Sequence, residues 1–183
     1  ADDLRSMPEH RNRRAAFEDR PVILTRTSDT GAIGFDVYVE SAKTDVFRSA
    51  LASEGVQGLD PETAEIVRIE AGIPKFNQDM DEATIPLEAG IESRAISFSK
   101  GCYVGQEVII RVLHRGHGRV ARKLVGLVTE GKTSPSIGAR VTSNDREIGN
   151  VTSAAISPAV KKPIALAYLH RDFLTEGTVV VVD

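Results

Sequence analysis

Cys102 is the single cysteine of the chain, and it stands inside Lys100-Gly101-Cys102-Tyr103-Val104-Gly105-Gln106-Glu107. The spacing of Val104, Val108 and Val112 predicts a short helix from about Gly105 to Gly116. The thiol would then lie just ahead of a positive helix end and close to the Lys100 ammonium. Both favour the thiolate, the form that attacks electrophiles or binds soft metals such as iron in clusters. The alternative is a buried structural thiol, because cysteine is among the most buried residue types. No His or Asn partner can be set beside it from spacing. His114 and His117 form an H-x-x-H pair, but the arginines around them repel cations, so no metal is expected there. The chain has no CxxC and no His/Cys group of four, which argues against structural zinc. Thr30-Gly31-Ala32-Ile33-Gly34 leads into a strand, whereas a phosphate loop needs a helix N-terminus behind it. That excludes the mononucleotide reading. Asp36 is left as either a solvent-facing carboxylate or an acceptor for a ligand's N–H groups.

The elements that must position these residues are of two kinds. Pro21-Val22-Ile23-Leu24-Thr25 and Gly34-Phe35-Asp36-Val37-Tyr38-Val39 read as paired strands joined through Asp29-Thr30-Gly31. Ser41 is expected to cap a helix with Val46, Phe47, Ala50 and Leu51 on one face, ending before Gly55. A second helix opens at Asp60-Pro61 and closes at Gly72, with Ala64, Val67 and Ala71 on its apolar face. From Ile73 to Ser99 an extended, Pro-punctuated course is expected. Beyond Arg119 helical periodicity vanishes. Strands are predicted over Lys123–Val128, Ala139–Thr142, Ile148–Ile156, Ile164–Leu169 and Thr178–Val182, a pattern of a small barrel or sandwich. The fold class is therefore α+β, divided near Gly116 to Gly118 into an α+β domain (residues 1–117) and an antiparallel β-barrel domain (residues 118–183).

Composition narrows the class. The chain has 183 residues, 41% hydrophobic and 27% charged, which suits a folded protein and not a disordered one. No apolar run nears the roughly 20 residues of a membrane span. The first residues, ADDLRSMPEHRNRR, lack the apolar stretch of a secretory signal. A lone cysteine closes no internal disulfide, so a cytoplasmic location is expected. The net charge of −3 conceals an uneven distribution. Asp60 to Glu92 holds nine acids against Arg68 and Lys75. Val108 to Thr129 holds no acid but carries Arg111, Arg115, Arg119, Arg122 and Lys123. That stretch could meet nucleic acid, a phosphate or a polycarboxylate, or could serve only as a solvated face. With no Trp and few other aromatics, stacking platforms are scarce, and nucleic acid is not expected as a partner.

The segment Lys100 to Glu107 resembles the KGCYxGQE signature of YgfZ-type proteins, folate-binding relatives of the glycine-cleavage T-protein (aminomethyltransferase) linked to iron–sulfur cluster assembly and repair. Arg68-Ile69-Glu70-Ala71-Gly72-Ile73-Pro74 resembles the family's RxEAGxP. Asp81-Glu82 through Pro86-Leu87-Glu88-Ala89-Gly90 is similar to its DExxxPLEAG, and Arg115-Gly116-His117 ahead of Lys123-Leu124-Val125-Gly126-Leu127 fits as well. The resemblance runs from about Val22 to the end. It implies a ferredoxin-like middle domain followed by the antiparallel barrel, with tetrahydrofolate as ligand and no structural metal.

What the resemblance implies for function is a folate-binding accessory protein for iron–sulfur cluster assembly or repair, partnered by an iron–sulfur client or assembly protein. Cys102 and Lys100 would be its chemical centre, with Gly101, Tyr103, Gly105, Gln106 and Glu107 as motif residues and Asp36 and Arg68 as folate contacts. The second reading is tetrahydrofolate-dependent aminomethyl transfer in glycine cleavage. A third is an interaction module whose basic segment docks an acidic partner. Two departures weigh on the folate contacts. Asp36 stands where T-proteins use a Glu to hold the pterin, and Ala64 stands where they place an Arg for the folate carboxylates. The chain is also expected to lack the N-terminal part of the folate cradle, including an aspartate important for catalysis.

Overall fold

The computed structural model describes residues 4–114, 116 and 118–183. Arg115 and His117, and with them part of the H-x-x-H pair and of the Arg-Gly-His match, lie outside the described residues. The chain divides into two compact units, one running through Ile73 and the other spanning Pro74–Asp183.

The first unit begins with strands β1 (Asn12–Phe17), β2 (Arg20–Thr27) and β3 (Gly34–Tyr38), an antiparallel sheet in the order β1-β2-β3. The pair Phe17↔Arg20 closes a two-residue hairpin in which Glu18 takes φ 51°. β1 was not foreseen, because Asn-Arg-Arg-Ala-Ala-Phe has no apolar alternation. Its ladder to β2 is what makes it a strand. Helix α1 (Thr44–Ser53) follows a single 3-10 turn at Ser41–Lys43. Ser41 was expected to cap α1. Instead it opens that turn, and Lys43 stands at the N-cap of α1 without a side-chain hydrogen bond. Phe47 meets Phe17 edge-on, with ring centroids 5.0 Å apart, and so ties α1 to β1. Val46 and Leu51, expected on the same buried face, stay exposed.

Helix α2 (Pro61–Glu70) is capped as the sequence predicts. Asp60 accepts a hydrogen bond from the Thr63 N–H at 2.8 Å, and Pro61 fills a first-turn position whose N–H would be unpaired. At its far end the Gly72 N–H donates to the Ile69 carbonyl and the Ile73 N–H to the Arg68 carbonyl, closing the last turn.

In the second unit the stretch expected to be extended contains two single-turn helices, α3 (Pro86–Ala89) and α4 (Glu92–Ala95). Pro86 punctuates here by starting a helix, because its fixed φ suits a first helical position. Helix α5 (Gln106–His114) lies where the valine spacing predicts one. The C-terminal sheet is antiparallel throughout, in the order β4-β7-β6-β5-β8, built from β4 (Arg122–Val128), β5 (Arg140–Ser143), β6 (Arg146–Ser157), β7 (Lys162–His170) and β8 (Val181–Val182). β8 is shorter than expected because Thr178 is held in a turn, its N–H bonded to the Thr175 carbonyl. The core of the unit is Val141, Ile148, Val151, Ala165, Ala167 and Leu169. The fold is thus α+β, a mixture of helix and sheet ending in an antiparallel sheet. No helix among the described residues is long and apolar enough to cross a membrane.

Candidate functional site

The Cys102 loop is assembled by local bonds. The Lys100 N–H donates to Ser97 Oγ at 3.3 Å, and the Lys100 ammonium lies 5.0 Å from the centre of the Tyr103 ring. The Tyr103 N–H donates to Gln106 Oε1 at 3.1 Å, while the Gln106 N–H returns a bond to the Tyr103 carbonyl at 3.3 Å. This reciprocal pair opens α5 and explains why Gln stands there: its side chain reaches back to a backbone donor that the helix leaves unpaired. Glu107 is exposed and pairs with Arg111 one turn on, at 2.7 Å. Cys102 and Gly101 are exposed, so the loop holds its thiol in solvent, and the buried structural alternative does not apply.

Asp36 and Arg68 belong to the other unit. Asp36 is exposed on β3, opposite Thr25. Arg68 is buried, at 7% exposure. Its guanidinium donates to both carboxylate oxygens of Glu65, at 2.5 and 3.1 Å, and to the Ile73 carbonyl at 2.5 Å. It therefore fastens the end of its own helix. The two elements meet where Gly31, in the β2–β3 connection, packs on the end of α2. A Cβ on Gly31 would stand 2.5 Å from that of Ala71, and the backbone there takes φ +79°. The Gly-spaced turn is thus a close backbone approach that seats β3 against α2.

A second constellation was not visible in the sequence. Asp79 is 2% exposed, and its Oδ1 accepts hydrogen bonds from Thr152 Oγ1 and Ser153 Oγ, each at 2.6 Å. Its Oδ2 accepts from the Lys75 N–H at 3.0 Å, and Gln78 Nε2 donates to Ser153 Oγ at 2.8 Å. Neighbouring residues of a regular strand face opposite ways, but the ladder of β6 shifts register between Val151 and Ser153. That bulge lets two consecutive hydroxyls reach one carboxylate. A hydroxyl pair in a strand gives no sign of this, since a bulge leaves no pattern in the residue types.

Beside this network lie two adjoining cavities of about 300 Å³ each, which share Arg122, Asn150 and Tyr168. Arg122 Nε donates to Glu88 Oε2 at 3.2 Å, and its guanidinium carbon sits 4.7 Å from the centre of the Tyr168 ring. The Tyr168 hydroxyl is buried without a hydrogen-bond partner among the described residues. Burial pushes its phenol up to about 12, with Glu88, Asp79 and Asp81 acting in the same direction against Arg122. No group of three or more His, Cys, Asp or Glu positioned to hold a metal ion occurs among the described residues.

Comparison with known proteins bears on the whole chain. The family model described as the GCVT N-terminal domain matches residues 2–100, and that of the glycine cleavage T-protein C-terminal barrel domain matches residues 122–183. An aminomethyltransferase of Streptomyces coelicolor is 36% identical over 163 residues, covering 86% of this chain and 44% of its own length. That of Rippkaea orientalis is 35% identical over 165 residues, covering 90% and 44%. That of Saccharopolyspora erythraea is 33% identical over 187 residues, covering 99% and 50%. The chain spans about half the length of the curated relatives it matches. Among solved structures, the glycine cleavage system aminomethyltransferase T from Bartonella henselae has a similar fold, with a TM-score of 0.77 at 23% identity over 88% of this chain and 45% of that one. These relatives overturn the expectation of an accessory protein for iron–sulfur cluster assembly or repair with an iron–sulfur client. They carry the name of the second reading.

Proposed function

The chain belongs to the glycine cleavage T-protein family, and on that premise we propose that it forms part of a tetrahydrofolate-dependent aminomethyltransferase. One observation supports this above the others: relatives named aminomethyltransferase match it at 29–36% identity over most of its length. Tetrahydrofolate would be a substrate, the acceptor of the transferred carbon. Asp36 is the carboxylate available to the pterin N–H groups, exposed on β3 where T-proteins carry a Glu. Arg68 is less suited to the folate carboxylates, because its guanidinium already bonds Glu65 and Ile73. With Ala64 in place of the family's Arg, the carboxylate end of the ligand lacks its cation. Cys102 and Lys100 stand on an exposed loop, open to substrate, and remain the reactive candidates of that loop.

Titration of tetrahydrofolate into the protein and into an Ala64→Arg variant tests the assignment. A charge-assisted bond is worth roughly 1.5–3 kcal/mol, so the variant is expected to bind about tenfold more tightly or better. Equal affinity would remove Asp36 and position 64 from the site. Failure of the wild type both to bind tetrahydrofolate and to support transfer would remove the reading itself.

A further inference from the structure

The acid-free basic stretch of the sequence is not used by the folate reading, and part of it lines a third cavity. This cavity, of about 190 Å³, lies within the second unit. Arg119, Lys123 and Arg171 bring three cations to it, Glu92 brings one carboxylate, and Leu87 and Leu174 are among its apolar lining. Lys123 extends from β4 along the turn between α3 and α4, its Cε 3.9 Å from where a Cβ on Gly90 would be. Neither Arg119 nor Lys123 has an ion-pair or hydrogen-bond partner for its side chain among the described residues. Arg171 lies 3.8 Å from Asp172, its neighbour in the chain, and both are largely exposed. Glu92 Oε2 is buried with no hydrogen-bond partner among the described residues.

These features specify a ligand by charge. Arg119 and Arg171 are exposed and Lys123 half-buried, and three cations around one small cavity attract a ligand with more than one anionic group. Glu92, which lines the cavity among these cations, supplies a carboxylate that suits an N–H group, ideally a charged one. The volume falls below the roughly 300–1,000 Å³ of cofactor and drug-sized sites. We propose that this cavity binds a small acidic amino acid, whose two carboxylates meet Arg119, Lys123 and Arg171 and whose ammonium meets Glu92. A phosphate would answer the cations but would set its own negative charge against Glu92. A plain dicarboxylate would leave Glu92 as it is. The proposal does not depend on the folate reading, since it concerns a different cavity and different residues.

The test is calorimetric titration of L-glutamate, glutarate and inorganic phosphate into the protein at low ionic strength. L-Glutamate is expected to bind at least about tenfold more tightly than glutarate, the increment of one charge-assisted hydrogen bond. Glu92→Gln should weaken L-glutamate by a similar factor and strengthen glutarate. The double variant Arg119→Gln/Lys123→Gln should lose both, with thermal unfolding unchanged. Glutarate or phosphate binding as well as L-glutamate would overturn the proposal, as would no binding of L-glutamate at millimolar concentration. The comparison of the three ligands on the wild type needs no variant to fold.

Discussion

The two units bury their residues in opposite ways. In the first, Val22, Ile69 and Arg68 are the buried residues among those described, while Ile23, Ile33, Tyr38, Val46 and Leu51 remain exposed. In the second, β7 is buried continuously from Pro163 to Leu169, and the interior also takes in Asp79, Thr152, Ser153 and Ser157. The sheet of the first unit has three strands and meets α1 in the Phe17–Phe47 ring pair. The second has five strands gathered around a common core. An apolar face predicts burial only when another layer exists to cover it. A buried carboxylate is tolerated when its bonds are completed inside, as those of Asp79 are.

Matched substitutions in the two units would sharpen this contrast or break it. A Cβ on Gly149 would stand 1.8 Å from the Tyr168 carbonyl oxygen, at the end of the β6–β7 ladder where Gly149 pairs with Leu169. Gly149→Ala is therefore expected to cost more than about 4 kcal/mol in urea unfolding, at the extreme of single substitutions. Gly31→Ala meets the Ala71 side chain at the end of a helix, where the chain can yield, and should cost about 1–3 kcal/mol. Equal losses would mean the first unit is as tightly packed as the second.

Alkaline titration gives the next effect. Tyr168 has its phenol raised to about 12 against an ordinary value near 10. Between these values the folded state holds a proton that the unfolded state has released, so stability is intact below pH 10 and declines as pH rises to 12. The expected decline is about 1.4 kcal/mol per pH unit, some 2–3 kcal/mol in all. Tyr168→Phe should remove this slope, and denaturant unfolding across that range checks it. The smallest effect belongs to the first unit. Val46→Ser, on the exposed side of α1, should change stability by no more than about 0.5 kcal/mol. A loss of several times that would show a covered face where the structure has an open one.

The C-terminal sheet was legible because its strands are short apolar runs set between turn residues, and α2 because Asp60 and Pro61 carry a capping mechanism in their own chemistry. α5 followed from valine spacing. What escaped depends on relations between distant residues. β1 becomes a strand through β2, Arg68 is engaged by Glu65 and Ile73, and the partners of Asp79 are brought into line by a bulge. For Cys102 the residue types leave an activated thiolate and a buried structural thiol both open, and only the fold shows the side chain to be exposed. The iron–sulfur reading rests on a short signature around one cysteine, whereas the similarity to aminomethyltransferases extends over most of the chain.

The bulge in β6 has a consequence for how this sequence can drift. Thr152 and Ser153 lie 73 and 74 residues from Asp79, yet both hydroxyls must arrive at one oxygen. Losing or gaining a single residue between the start of β6 and the bulge would turn one hydroxyl away and leave a buried carboxylate short of a donor. The length of that half-strand is therefore locked to a segment far earlier in the chain. The mostly exposed connection between β4 and β5 carries no such constraint, so a change of length there is expected to be tolerated where one between Arg146 and Ser153 is not.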